Sequence, residues 1–183
     1  MSTKARATIE DLYNIPGKAE IVNGEIVLMS PTGGDPGYAG DAISVSLWEF
    51  SLRTKLGRAV GDNKAFRVRL PNRDSFSPDV AFYVGPNPGM KFYEGAPVFA
   101  VEVRSENDYG AAAETRLAQK RADYFAAETV VVWDVDLLNP DVIKSYHEDN
   151  SDRPVVFHRG EIGDAEPALP GWRFPVDDLF EKD

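Results

Sequence analysis

The stretch Val98-Phe99-Ala100-Val101-Glu102-Val103 constrains the fold more than any other part of the chain. Its nearly unbroken apolar character is the pattern of a strand buried at the centre of a sheet, yet it carries a carboxylate. Removing an ionised carboxylate from water without a partner is very costly. Glu102 must therefore be ion-paired, bound to a metal ion or placed at the open end of its strand. A structural ion pair with Arg104, Arg116 or Lys120 is one solution; a chemical site is the other.

The pattern around this strand is that of a mixed α/β chain. Residues 8 to 14 form a short helix opened by Thr8. Glu20 to Met29 is a tight hairpin, because Asn23-Gly24 supplies the two positive-φ residues of a type I′ turn. Pro and Gly density makes Ser30 to Tyr38 a loop. Ile43, Leu47 and Phe50 recur at helical spacing from about Ala39 to Leu56, and Gly57 ends that helix. Strands follow at about 65 to 70, 79 to 84 and 97 to 103, then a helix from about Ala111 to Ala127 and a β-rich run from Thr129 to Val135. Shorter strands are expected at Val142 to Tyr146 and Val155 to His158. With 183 residues and 43% hydrophobic content, the chain can bury one sizeable core. One domain spanning 1–183, with its core at about 8–180, is the expectation.

Glu102 belongs to an ordered trio. Asp79 opens the strand after Ser77-Pro78, and Lys120 lies on the helix that follows Glu102. Lys120 is three residues after Leu117 and four before Tyr124, so it sits on or beside that helix's core-facing stripe. Two strand carboxylates and a nearby lysine are what metal-assisted phosphodiester cleavage requires. With no cysteine and two histidines, a metal would be held by oxygen, which suits Mg²⁺ or Mn²⁺. Neither histidine lies near a nucleophile-elbow pattern, and no Gly-rich segment has the P-loop spacing.

A net charge of −10 opposes indiscriminate binding to nucleic acid. The charge is uneven, however: from Arg53 to Arg73 there are seven basic residues and one acid, Asp62. Alternation over Ala65 to Leu70 puts Arg67 and Arg69 on one strand face. A solvated face balancing an acidic surface is the simplest account of such a run; a phosphate-binding stripe is the alternative.

These residues together resemble the Uma-type family, a former domain of unknown function, within the PD-(D/E)xK nuclease superfamily. The matching stretches are Ala19-Glu20-Ile21-Val22-Asn23-Gly24-Glu25-Ile26, Met29-Ser30-Pro31-Thr32-Gly33-Gly34, Ser77-Pro78-Asp79-Val80-Ala81 and Val101-Glu102-Val103-Arg104-Ser105. Lys120 before Tyr124 and Val132-Trp133-Asp134-Val135-Asp136 complete the set. The resemblance implies a restriction-endonuclease-like fold, with a mixed central β-sheet flanked by α-helices and an N-terminal hairpin. It implies Pro78-Asp79 as the PD half-motif, Glu102 as the second carboxylate and Glu20 as an accessory acid. The simplest superfamily pattern has a lysine two residues after the second carboxylate. Here that position is Arg104, a poor proton acceptor, and the resemblance implies that the lysine has moved to Lys120. The histidine that many relatives carry after Ser30-Pro31 is absent.

The expected activity is thus Mg²⁺- or Mn²⁺-dependent endonuclease cleavage, with DNA favoured by the resemblance. Asp79, Glu102 and the Val103 carbonyl would hold the ion, Lys120 would orient or deprotonate the attacking water, and Arg67, Arg69 and Arg104 would contact phosphates. A homodimer is expected, since two symmetric sites most simply cut two strands. The rival reading is a non-catalytic nuclease-like binding or scaffold module, in which Asp79, Glu102 and Lys120 form a structural ion-pair network. No run approaches the roughly 20 apolar residues of a membrane span, and the opening residues lack a signal-peptide core. A soluble cytoplasmic protein is expected.

Overall fold

Asn23 and Gly24 adopt φ values of 52° and 76°, and this left-handed pair closes the hairpin between β1 (Ala19–Val22) and β2 (Glu25–Leu28). The computed structural model describes residues 5–181, so the opening Met1 to Lys4, used above in the localisation argument, lies outside the described residues. Helix α1 (Ile9–Tyr13) precedes the hairpin and is fixed by a capping box between Thr8 and Asp11. After it come α2 (Gly34–Thr54), β3 (Arg58–Val60), β4 (Phe66–Leu70), β5 (Arg73–Phe76), β6 (Val80–Tyr83), β7 (Tyr93–Glu94) and β8 (Phe99–Val103). The chain continues with α3 (Ala111–Ala126), β9 (Val131–Val135), β10 (Ile143–His147), β11 (Val155–Phe157), β12 (Ile162–Gly163) and β13 (Phe174–Pro175).

The strands form a six-stranded sheet in the order β11-β10-β9-β8-β6-β3 and a five-stranded sheet in the order β2-β1-β5-β4-β7, with β12 and β13 as a separate pair. The larger sheet is mixed. β8 runs antiparallel to β6 and parallel to β9, with Glu102 beside Asp134. The hairpin is not an appendage, because β1 pairs with β5 and joins the second sheet.

Strand alternation divides the core into two layers. Phe99, Val101 and Val103 of β8 face Ile43, Leu47 and Phe50 of α2 and the C-terminal Trp172 and Leu179. Ala100 faces the other way, with Phe76, Tyr124 and Val132. Glu102 shares the face of Ala100, so it points into the space between the large sheet, α3 and the second sheet. On the opposite face Trp133 is fully buried, its indole N–H shared between Ser145 Oγ at 3.1 Å and the Asp164 carbonyl at 3.2 Å.

Two boundaries differ from the sequence expectation. α2 begins at Gly34, inside the segment read as loop: Pro36 falls in the first turn, where a helix needs no N–H from it. The helix ends at Lys55, which takes the left-handed conformation at φ 59°, before Gly57 is reached. The strand Arg73–Phe76 was not foreseen, since Arg-Asp-Ser-Phe has little β-propensity. Among the described residues, no helix is long and apolar enough to cross a membrane.

Candidate active site

β1, β2, the end of β8, the loop after it and α3 enclose a cleft of about 470 Å³, lined among others by Lys18, Glu20, Asp79, Glu102, Val103 and Lys120. Asp79 stands just before β6. Its Oδ2 accepts the Val103 backbone N–H at 2.7 Å, which ties the start of β6 to the end of β8. Its Oδ1 lies 2.5 Å from Lys18 Nζ, and the same ammonium is 2.6 Å from Asp62. Burial opposes the charge on Lys18, but Asp79 and Glu102 outweigh it and raise its pKa.

Glu102 accepts from Tyr124 Oη at 2.7 Å and from Lys120 Nζ at 2.8 Å. The spacing on α3 explains both contacts: residues four apart share a face, and that face is held against the second sheet by the stacking of Tyr124 on Phe76 at 4.0 Å. Burial, reinforced by Asp79 and Glu20, pushes the Glu102 carboxyl up to about 6 despite Lys120 and Lys18. Lys120 behaves oppositely: burial alone would lower its pKa, but Glu102 and Glu20 hold it well above the usual lysine range.

Glu20 is 3% exposed and has both oxygens engaged. Oε2 lies 2.5 Å from Arg73 Nη1, while Oε1 accepts the Ser77 N–H at 2.7 Å and sits 2.9 Å from Lys120. Burial works against its charge, yet Lys120, Arg73 and the Ser77 amide together lower its pKa. Arg73 also bonds Asp123 at 2.8 Å through Nε. Asp123 in turn accepts from Asn72 and Gln119. Behind the cleft, therefore, a chain of ion pairs runs from Asp123 through Arg73, Glu20 and Lys120 to Glu102.

Of the three residues expected to contact phosphates, Arg104 lines the cleft, whereas Arg67 and Arg69 lie away from it. Arg104 is bound at both ends of its guanidinium, to Asp134 at 2.8 Å through Nε and Nη2 and to Glu114. Its position two residues after Glu102 sets it over Asp134, the cross-strand neighbour of Glu102, and it neutralises that carboxylate instead of offering its donors to a ligand. Arg67 and Arg69 do share a face, as alternation requires, but with Arg6 and Asp74 they line a separate groove of about 400 Å³. Arg67 is 3.4 Å from Glu94. Arg104 nonetheless borders the cleft, as do Lys18, Arg73, Lys120 and the exposed Arg116, which pairs with Asp108 at 2.9 Å.

Sequence reasoning missed Lys18, Arg73 and Tyr124. Lys18 and Glu20 stand two apart at the mouth of β1, a spacing that places both on one strand face, and that was the available signal. Arg73 was absorbed into the basic run, and Tyr124 was read only as core.

Mg²⁺ is commonly held by one or two carboxylates plus waters, and the donor set fits it. Asp79 and Glu102 border one cleft, with Val103 beside them. Among the described residues no three Asp, Glu or His side chains converge as a preformed metal cage. Four buried or half-buried carboxylates (Glu20, Asp79, Glu102, Asp123) face three cations (Lys18, Arg73, Lys120). Burial above all, with Asp79 and Glu20 beside it, keeps a proton on Glu102 up to about 6. A divalent cation between Asp79 and Glu102 would favour the ionised form.

No curated protein matches the chain. Among solved structures, the crystal structure of "a putative nuclease belonging to DUF820 from Anabaena variabilis" is similar, at 15% identity and a TM-score of 0.73. The likeness covers 94% of this chain and 97% of that one, and it shows a shared fold. The family model Uma2, described as "Putative restriction endonuclease", matches residues 7–177. That span takes in Lys18, Glu20, Asp79, Glu102 and Lys120 and nearly the whole of both sheets, so the chain belongs to the Uma2 family.

Proposed function

We propose that the chain is a metal-dependent endonuclease that hydrolyses phosphodiester bonds of nucleic acid, with DNA as substrate, in the cleft between the two sheets. The observation that carries this reading is the meeting of Asp79, Glu102 and Lys120 at one cleft. Membership of a family described as "Putative restriction endonuclease" supports the reaction class and the choice of DNA.

Asp79, Glu102 and the Val103 carbonyl would hold Mg²⁺ or Mn²⁺. When bound, the ion lowers the pKa of its water and offsets charge on the phosphoryl oxygens. Lys120 orients the attacking water and stabilises the charge that develops on phosphorus oxygens. Glu102 and Glu20 raise its pKa and favour its protonated form before a metal binds. Glu20 holds Lys120 in place, and Tyr124 fixes one oxygen of Glu102. Lys18 and Arg116 meet the flanking phosphates in the roles first assigned to Arg67, Arg69 and Arg104.

Two expected outcomes follow from the electrostatics. Glu102 must ionise to take the metal, so Mg²⁺ affinity measured by calorimetry should fall about tenfold per unit as pH drops below about 6. The same raised carboxyl favours the metal-free fold at low pH, and that contribution is lost as pH rises from its unfolded value through about 6. Secondly, Lys18 competes with a cation for Asp79. Lys18→Met should therefore tighten Mg²⁺ binding by about tenfold while slowing cleavage, and unchanged or weaker binding would remove Lys18 from this role.

The closed chain of ion pairs favours a second reading, a scaffold whose charges are structural. Mass action separates the two, because a ligand that binds only the folded state raises its stability. A higher melting temperature in millimolar Mg²⁺ or Mn²⁺, lost in Asp79→Asn, supports the enzyme; no shift in either ion supports the scaffold.

A further inference from the structure

One oxygen of Asp79 is tied to the backbone and the other is held by Lys18. Oδ2 accepts the Val103 N–H at 2.7 Å, whereas Oδ1 lies 2.5 Å from Lys18 Nζ. A cation entering the cleft beside Asp79 must therefore take the oxygen that the ammonium occupies. The Lys18 carbonyl accepts the Met29 N–H at 3.0 Å, an extension of the β1–β2 hairpin that fixes its backbone. Only the flexible four-carbon stem can carry the charge elsewhere.

The neighbouring carboxylates limit where that charge can go. Glu20 already holds Arg73, the Ser77 amide and Lys120, and Glu102 holds Lys120 and Tyr124. Asp62 is the other carboxylate in contact with Lys18, with Oδ1 2.6 Å from the same Nζ. It stands in the turn between β3 and β4, beside the cleft rather than in its wall. Asn63, at φ 56°, bends the chain there and donates its N–H to Asp62 Oδ1 at 2.7 Å. The Asp62 side chain is half exposed, whereas that of Lys18 is largely buried.

We infer that Asp62 is a positioning residue for the metal site: it retains Lys18 when Asp79 Oδ1 passes from the ammonium to a divalent cation. The inference rests on the reading of Asp79 and Glu102 as that site. Without Asp62, displacement from Asp79 would leave a largely buried ammonium unpaired beside a second positive charge, which is costly. Lys18 would then compete for Asp79 at full strength. With Asp62 in place, Lys18 keeps one carboxylate throughout, and the exchange at Asp79 breaks one of its two ion pairs. Lys18 also stays at the cleft, available to a flanking phosphate.

Calorimetric titration of Mg²⁺ into the full chain tests it, with Asp62→Asn, Lys18→Met and the double variant beside wild type. Asp62→Asn should weaken Mg²⁺ binding by about fivefold, the worth of one half-exposed ion pair, because Lys18 then has Asp79 alone. In the Lys18→Met background the same change should alter the affinity by less than about twofold, since no ammonium remains to be retained. An Asp62 effect of equal size in both backgrounds overturns the inference, because the carboxylate would then act on the ion through its charge alone. So does an unchanged affinity in Asp62→Asn. Either result leaves the metal site itself standing, provided that Asp79→Asn abolishes binding. Absence of Mg²⁺ binding by wild type and by every variant overturns the inference and the metal site together.

Discussion

Replacing Arg73 with methionine is expected to cost about 3–5 kcal/mol of stability, the effect of leaving a buried charge without its partner. Arg73 is 5% exposed and joins two carboxylates, Glu20 at 2.5 Å and Asp123 at 2.8 Å, while its guanidinium lies 4.8 Å from the Phe76 ring centre. Methionine keeps the packing on Phe76 and removes the charge. Glu20 retains only Lys120 and the Ser77 amide. Both carboxylates have lowered pKa values in the intact protein. The stability they contribute is present above their unfolded pKa and is lost as pH falls through the folded one. The deficit in Arg73→Met should therefore shrink towards acidic pH, where the orphaned carboxylates take up protons. Urea unfolding at neutral and mildly acidic pH reads both effects. Arg67→Met is the control: its pair with Glu94 is long and half-exposed, and a change within about 0.5 kcal/mol is expected.

Lys120→Met should reduce the rate of metal-dependent cleavage by about 10²–10³-fold, the usual consequence of deleting one preorganised donor at a developing charge. The rate should fall with little change in substrate KM, because the lysine acts on charge that appears in the transition state. Removing it also frees Glu102 and Glu20 of their shared cation. The metal-free variant should then melt lower than wild type, and Mg²⁺ should recover part of the difference. Lys120→Arg keeps the charge but carries a wider fork, so it should recover stability more fully than rate. Equal recovery of both would reduce Lys120 to a structural counter-ion.

The legible parts of the fold were those with a local cause. Asn23-Gly24 dictates its turn, the apolar run around Glu102 dictates a central strand, and the spacing of Leu117, Lys120 and Tyr124 dictates one face of α3. Those same signals indicated that Asp79, Glu102 and Lys120 would come near one another, and they line one cleft. The illegible parts depend on pairing between distant segments. Arg104 meets Asp134 only because β8 and β9 run parallel with Glu102 beside Asp134, a register that no local pattern states. Arg73 meets Glu20 only because β5 lies against β1, and Arg-Asp-Ser-Phe does not read as a strand. Pro36 concealed the start of α2 because proline marks both loops and first helical turns. Lys18 illustrates the cost of reading charges singly: its partners Asp62 and Asp79 are both more than 40 residues away in sequence.

The most direct test of the central claim is cleavage of a panel of single- and double-stranded DNA and RNA in Mg²⁺ and Mn²⁺ at low salt, with wild type beside Asp79→Asn purified identically. The account predicts cutting of DNA by wild type, its loss on chelation of the metal, and its loss in Asp79→Asn although that variant remains folded. Metal-dependent cutting that is equal in the two proteins, or no cutting of any substrate by wild type in either ion, would contradict it.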